Sequence, residues 1–302
     1  MLDSTRRAYL KRIVTGTVGT TLLGSGMASA GTLQPKADTT YVWGRAEDIV
    51  QDSTARSTFY DVMSAMSGSY VYFSWGEIQK RSVPSSDLDE FVVGANDNGY
   101  DVRLLSGQVD QRTDAPLVFS DRYLSALSAY LDDYSADGVH LDIEPSGNDL
   151  GAFLDNYETL LDHIEQNSSF NGVTLSIAWR DWWTQNEMAK TRNVRDHARV
   201  DEIDVMAYAD AESKVRESAE QAMQDGSNLW GRTFSSKPYV VTVEIQNLEG
   251  STDSPLSFYD EGEWATATVL DNIDSSPPKG NYDGRGIHFY NPLLRWQRTY
   301  EV

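Results

Sequence analysis

Asp137-Gly138-Val139-His140-Leu141-Asp142-Ile143-Glu144-Pro145 alternates apolar and polar side chains at every second position. That period belongs to a β-strand, whose successive side chains point to opposite faces. Val139, Leu141 and Ile143 then share one face, and His140, Asp142 and Glu144 the other. Burying two acids and an imidazole along one strand is costly unless they are paired or perform a task, so packing alone would not choose them.

On both sides of this segment, short runs rich in β-branched and aromatic residues alternate with helical patterns, the sequence form of repeated βα units. Toward the N-terminus the pattern predicts strands at 40–44, 70–75 and 102–106, and helices near 54–66, 87–98 and 121–134. Toward the C-terminus it predicts strands at 173–179, 203–208, 239–245 and 286–290, and helices near 150–166, 213–224 and 261–273. With 138–143 these make eight strands over roughly 250 residues, the size of a (β/α)8 TIM barrel. We therefore expect a single α/β barrel domain over 31–302. In that fold the apolar set of strand four faces the helices, the polar set lines the interior, and Glu144 stands at the C-terminal rim, where barrel enzymes place their chemistry. An open doubly wound sheet is the alternative, but no glycine-rich phosphate loop opens any of the helices.

The first thirty residues read differently. Arg6-Arg7 and Lys11 precede an uncharged stretch from Ile13 to Met27, and Ala28-Ser29-Ala30 has the small-residue spacing of a signal-peptidase site. This is the form of an export signal over 1–30, and the paired arginines resemble the twin-arginine type. Its apolar stretch is too weak for a stable membrane span. The expected location is extracellular or at the cell surface.

The chain carries 46 acidic and 25 basic residues, a net charge of −21, and the N-terminal segment takes with it four bases and only one acid. Self-repulsion of that size is screened when molar salt shortens the Debye length to about 3 Å, so the composition suits a hypersaline exterior and resembles that of salt-loving archaeal proteins. Eight tryptophans and 16 tyrosines argue for a packed fold rather than disorder. Nucleic acid is excluded as a partner by the lack of a basic stripe. Without cysteine there is no disulfide, thiol nucleophile or thiolate metal site. Four histidines without paired spacing give no reason to expect a metal, and nothing points to a cofactor.

The strand-four segment resembles the Asp-Gly-x-Asp-x-Asp-x-Glu motif of glycoside hydrolase family 18, the chitinase-like barrels. Asp137, Gly138, Asp142 and Glu144 match it, while His140 stands in place of the first interior Asp and Pro145 in place of an aromatic. The resemblance implies that Glu144 protonates the glycosidic oxygen and that Asp142 orients an acetamido group and tunes Glu144. It extends to Met206-Ala207-Tyr208, where family members carry Met-x-Tyr with a substrate-binding tyrosine. It ends at Gly286-Ile287-His288-Phe289-Tyr290, in the place of a strand-eight aromatic that floors the sugar site.

A second acid, Glu244, closes the seventh strand, and acids on strands four and seven also resemble the retaining glycosidases whose strand-seven Glu is the nucleophile. Such a pair sits about 5 to 5.5 Å apart. Trp75 and Glu77 after strand two, Asp110, Arg180, Tyr208, His288 and Tyr290 are further rim candidates, because sugar rings stack on aromatic faces and carboxylates and arginine bind hydroxyls. Trp179 reads as core, and Trp182-Trp183 as either a sugar platform or a barrel cap. Asn167-Ser168-Ser169 is a glycosylation sequon or simply a turn. Together these features predict a monomeric, exported glycosidase acting on a carbohydrate with Glu144, Asp142 and Glu244 as its acids and His140 lining the site. The rival reading is a non-catalytic carbohydrate-binding barrel, suggested by His140.

Overall fold

The structure, a computed structural model, describes residues 35–74, 83–107, 121–133, 136–145, 149–225, 233–246 and 257–288, with Tyr290 and Leu293. The export signal, Trp75, Glu77 and Asp110 lie outside the described residues. Eight parallel strands close into a barrel in sequence order: β1 (Thr39–Val42), β2 (Tyr70–Ser74), β3 (Asp101–Gly107), β4 (Gly138–Asp142), β5 (Thr174–Trp179), β6 (Glu202–Met206), β7 (Tyr239–Glu244) and β8 (Tyr282–His288), with β8 pairing back onto β1. The described helices are α1 (Ala46–Gln51), α2 (Ser53–Met66), α3 (Ser85–Asp97), α4 (Asp121–Asp133), α5 (Leu150–Gln166), α6 (Asp181–Asn186), α7 (Met188–Arg195), α8 (Glu212–Met223) and α9 (Gly262–Ser275). None of them is long and apolar enough to cross a membrane.

Side-chain alternation divides two cores. Outward residues such as Val71, Phe73, Val102, Leu104, Val139, Leu141, Ile177 and Val205 pack with the helices in one large cluster. A second, smaller cluster of Tyr41, Tyr70, Tyr72, Leu105 and Val240 fills the barrel, with Trp43 packed against it. The interior floor is an ion pair: Arg103 Nη1 lies 2.5 Å from Glu202 Oε1, which also accepts the hydroxyls of Tyr70 and Tyr72, while the guanidinium sits 3.7 Å from the Tyr70 ring centre. Gly138 belongs to this floor. A Cβ there would stand 2.8 Å from both Arg103 Cγ and the carbonyl oxygen of Thr174. Asp137, just before β4, accepts the Val102 backbone N–H at 2.8 Å; Asp201, just before β6, does the same for Leu175. These acids tie neighbouring strands at the amino end of the barrel.

Local signals set the helix starts. Asp52 accepts the N–H groups of Thr54 and Ala55 at the head of α2, and Asp149 accepts that of Ala152 at the head of α5. The sequon residue Asn167 caps a short 3₁₀ turn, its Oδ1 accepting from Ser169 N and its Nδ2 donating to Ser128 Oγ at 2.7 Å. Three details depart from the sequence reading. Helices α6 and α7, carrying buried Trp183 and Arg195, occupy the β5–β6 connection that had shown no helical period. Strand β8 spans Tyr282–His288 rather than 286–290, and Tyr290 lies in the helix layer, its ring 5.6 Å from Phe59 of α2.

Gly138→Ala should cost about 1 to 3 kcal/mol, because a backbone oxygen stands in the way of the added methyl. Denaturant unfolding of the two proteins checks this; equal midpoints would contradict the close approach of β4 and β5.

Candidate active site

The inward faces stack in layers from the Arg103–Glu202 floor to the mouth. In the middle layer, Ser176 Oγ lies 2.9 Å from His140 Nδ1, His140 Nε2 lies 2.9 Å from Tyr41 Oη, and Tyr41 donates to Asp204 Oδ2 at 3.0 Å. One arrangement satisfies all three: Ser176 donates to Nδ1, Nε2–H donates to Tyr41, and Tyr41 donates to Asp204. Tyr72 stacks on the imidazole with ring centres 3.8 Å apart. Burial, Arg103 and His288 push the His140 pKa well below its usual value, so the ring is neutral. His140 is 0% exposed with both nitrogens occupied, which makes it a member of the wall beneath the mouth.

Asp204 was not singled out from the sequence. It is fully buried, and burial raises its pKa to about 7, against the opposing effect of the Thr242, Tyr41 and Tyr72 hydroxyls and with Glu202 adding to the rise. The signal was present: Asp204 shares its parity on β6 with Tyr208, as Tyr41 and Trp43 share theirs on β1.

The upper layer gathers Asp142, Glu144, Arg180, Tyr208, Glu244 and His288 with Trp43. Burial first, and then the like charge of Glu144, raises the Asp142 pKa to about 7, with His288 and Arg180 pulling it down. Among the described residues no donor reaches the buried Oδ1 of Asp142. Glu144 is 41% exposed and pairs with Arg180, whose Nη2 lies 3.2 Å from Oε2 and 3.3 Å from Oε1. Arg180 leaves the end of β5 and lays its guanidinium 4.6 Å from the centre of the Tyr208 ring. Tyr208 in turn stands 5.3 Å from the His288 ring.

Glu244 is almost wholly buried. Its Oε1 accepts the backbone N–H groups of Ile245 and Gln246 at 2.8 and 2.6 Å, and its Oε2 lies 2.5 Å from His288 Nδ1. Two influences compete at His288. Burial opposes the imidazolium, yet the Glu244 carboxylate holds the pKa above its usual value. The indole N–H of Trp43 donates to Nε2 at 3.1 Å, and an indole can only donate, so Nε2 carries a lone pair while that bond is made.

Of the residues predicted for the site, Asp142, Glu144, Glu244, Arg180, Tyr208 and His288 thus meet at the mouth. His140 lies below it, Tyr290 lies outside the barrel, and Trp75 and Glu77 fall outside the described residues. Trp179 and Trp183 are core, packed edge-to-face at 4.7 Å, whereas Trp182 is 40% exposed. Among the described residues Asp162, Glu165 and His197 come within metal-ligating distance of one another. They lie near the carboxyl ends of α5 and α7, at the opposite end of the barrel, where His197 Nδ1 already accepts from Arg199 N.

No protein-family model and no curated protein matches the chain. Among solved structures it resembles a family GH18 chitinase from Chromobacterium violaceum at 11% identity and a TM-score of 0.52, over 89% of this chain and 81% of that one. A chitinase from Bacteroides thetaiotaomicron (11% identity, TM-score 0.49, 84% and 89% covered) and the spore cortex-lytic enzyme SleL of Bacillus megaterium (10%, 0.49, 88% and 73%) also align. The likeness is one of fold.

Because Asp204 rises from 3.8 to about 7 on folding, the unfolded chain releases this proton first, and stability falls as pH climbs between those values. Below that window the penalty is absent, and above it the penalty is complete. Asp204→Asn keeps an acceptor for Tyr41 and removes the penalty, so its melting temperature should gain on the wild type from about pH 4 to pH 7 and stay higher beyond. Parallel melting curves across that range would contradict a buried, proton-holding Asp204.

Proposed function

We propose that the chain is an exported glycoside hydrolase acting on an extracellular or cell-surface polysaccharide, with Glu144 as acid/base and Asp142 as its proton partner. The observation that carries this reading is the Asp142–Glu144 pair at the carboxyl rim of β4, in which burial and like charge keep a proton on Asp142 near neutrality. Arg180 pairs with the Glu144 carboxylate. A saccharide that engages Arg180 through its oxygens frees Glu144 to receive the proton and deliver it to the leaving oxygen, the step in which a positioned acid contributes about 100- to 10,000-fold. Tyr208, held under Arg180, supplies a hydroxyl beside the same carboxylates.

The acetamido-assisted route implied by the family-18 resemblance suits the geometry, since Asp142 Oδ1 has no donor among the described residues and a substrate amide N–H is the complementary group. Substrates with an N-acetylated sugar are therefore the first choice for assay. The N-terminal sequence supports export by the twin-arginine route, and the acidic surface supports work in concentrated salt.

The Arg180–Glu144 ion pair favours a second reading, a non-catalytic sugar-binding barrel in which Glu144 is a structural partner. Hydrolysis of tetra-N-acetylchitotetraose and of cellotetraose, followed in low salt and at about 3 M salt, separates the two readings. For a hydrolase, Glu144→Gln should lower turnover about 100- to 10,000-fold while leaving binding within a few-fold. A binding protein would show no turnover before or after the change.

A further inference from the structure

Glu244 was expected as a nucleophile or a second carboxylate, and its hydrogen bonds speak against the first of these roles. Oε1 is held by two successive backbone N–H groups and Oε2 by His288, and the residue is only 4% exposed. A nucleophilic carboxylate must aim a lone pair at the anomeric carbon; this one aims at its own chain and at an imidazole. The imidazole passes the constraint on, for its far nitrogen accepts the indole N–H of Trp43.

Trp43 follows the last residue of β1 and is half-buried at the mouth. Its ring is fixed on three sides. His288 holds the N–H. The six-membered edge lies over Gly107 at the end of β3, where a Cβ would come within 2.8 Å of Cη2, so that any side chain at 107 would displace the indole. Tyr41, two residues below on the same strand, underlies the indole with ring centres 6.4 Å apart and planes 24° from parallel. The opposite face is therefore the one turned toward the opening. In a closed barrel of eight strands in sequence order, β1 stands opposite β5, so across the mouth from Trp43 stand Arg180 and the neighbouring Asp142–Glu144 pair.

We propose that Trp43 is the aromatic platform on which the sugar ring stacks, and that Glu244 and His288 are positioning residues that set the plane of that platform. The assignment rests on the reading of the mouth as a saccharide site. It moves the platform from strand eight, where the sequence led us to look, to strand one, and gives the strand-seven acid a task other than forming a covalent intermediate. A flat, half-buried indole suits the apolar C–H face of a pyranose, while the carboxylates and guanidinium across the mouth suit its hydroxyls and amide.

The test uses the full chain with tetra-N-acetylchitotetraose and cellotetraose as probes, binding measured by titration calorimetry and, where cleavage occurs, kcat and KM measured separately. Trp43→Ala should weaken binding of whichever probe binds the wild type by about tenfold or more. Trp43→Phe, which keeps a ring but loses the N–H, should retain much of the affinity and guards against loss of folding in the alanine variant. Glu244→Gln should raise KM toward the Trp43→Ala value and lower kcat far less than Glu144→Gln does.

The assignment is overturned if neither probe binds, if both Trp43 variants bind like wild type, or if Glu244→Gln abolishes turnover with KM unchanged. It is overturned equally if Glu244→Ala with sodium azide yields a glycosyl azide, since azide would then form the bond to the anomeric carbon as the glycosidic C–O bond breaks, in place of a missing nucleophile. Binding that depends on Trp43 without any turnover, in the wild type or in Glu144→Gln, would leave the platform standing and remove only the hydrolase reading.

Discussion

Glu202, Asp204, Asp142 and Glu244 occupy the inner wall of the barrel, and a carboxylate taken out of water is costly unless a partner or a proton neutralises it. The structure meets this constraint differently at each level. At the floor Glu202 has a guanidinium and two tyrosine hydroxyls. In the middle layer Asp204 has the hydroxyl of Tyr41 and, up to about pH 7, a proton. At the mouth Glu244 is satisfied by two backbone N–H groups and an imidazole. Asp142 is raised by a second acid, Glu144, much as Asp204 is by Glu202, and each keeps one buried oxygen that accepts no hydrogen bond among the described residues; Asp142 differs in standing at the mouth, where its neighbour Glu144 is 41% exposed. The chemistry we assign to the chain is located where a proton-holding acid meets an exposed one at the opening.

The same constraint explains why strand four could be read so directly. Val139, Leu141 and Ile143 against His140, Asp142 and Glu144 is a period-two pattern that only a strand with one helix-facing side and one interior side accommodates, and the eightfold recurrence of such runs gave the closed barrel. Gly138 was visible as part of a motif, but its reason, the passage of Arg103 across the floor, comes from another strand. Helices α6 and α7 escaped the sequence reading because Asp181–Asn186 and Met188–Arg195 are short, and polar side chains dominate the second. Their place is set by tertiary packing of Trp183 on Trp179 and Phe153, which periodicity does not register.

At the site, residues on the ends of apolar strands were legible because a charge there needs a reason: Glu144, Asp142, Glu244 and Arg180. Trp43 and Tyr41 were not, since an aromatic in a strand reads as ordinary core, and only the convergence of His288, Gly107 and Tyr41 on one indole distinguishes it. Asp204 was hidden by its setting among Ile203, Val205 and Met206. Tyr290 shows the reverse error: two residues past His288 it keeps strand parity in sequence, but the strand has ended and the side chain enters the helix layer.

Burial beside Glu144 should hold a proton on Asp142 near neutrality. The most direct measurement is the pH titration of its carboxyl carbon by carbon-13 NMR, assigned against Asp142→Asn. The expected midpoint is about 7 and moves downward in Glu144→Gln, where the like charge is gone. A midpoint near the ordinary 3.8 that is indifferent to Glu144 would contradict it.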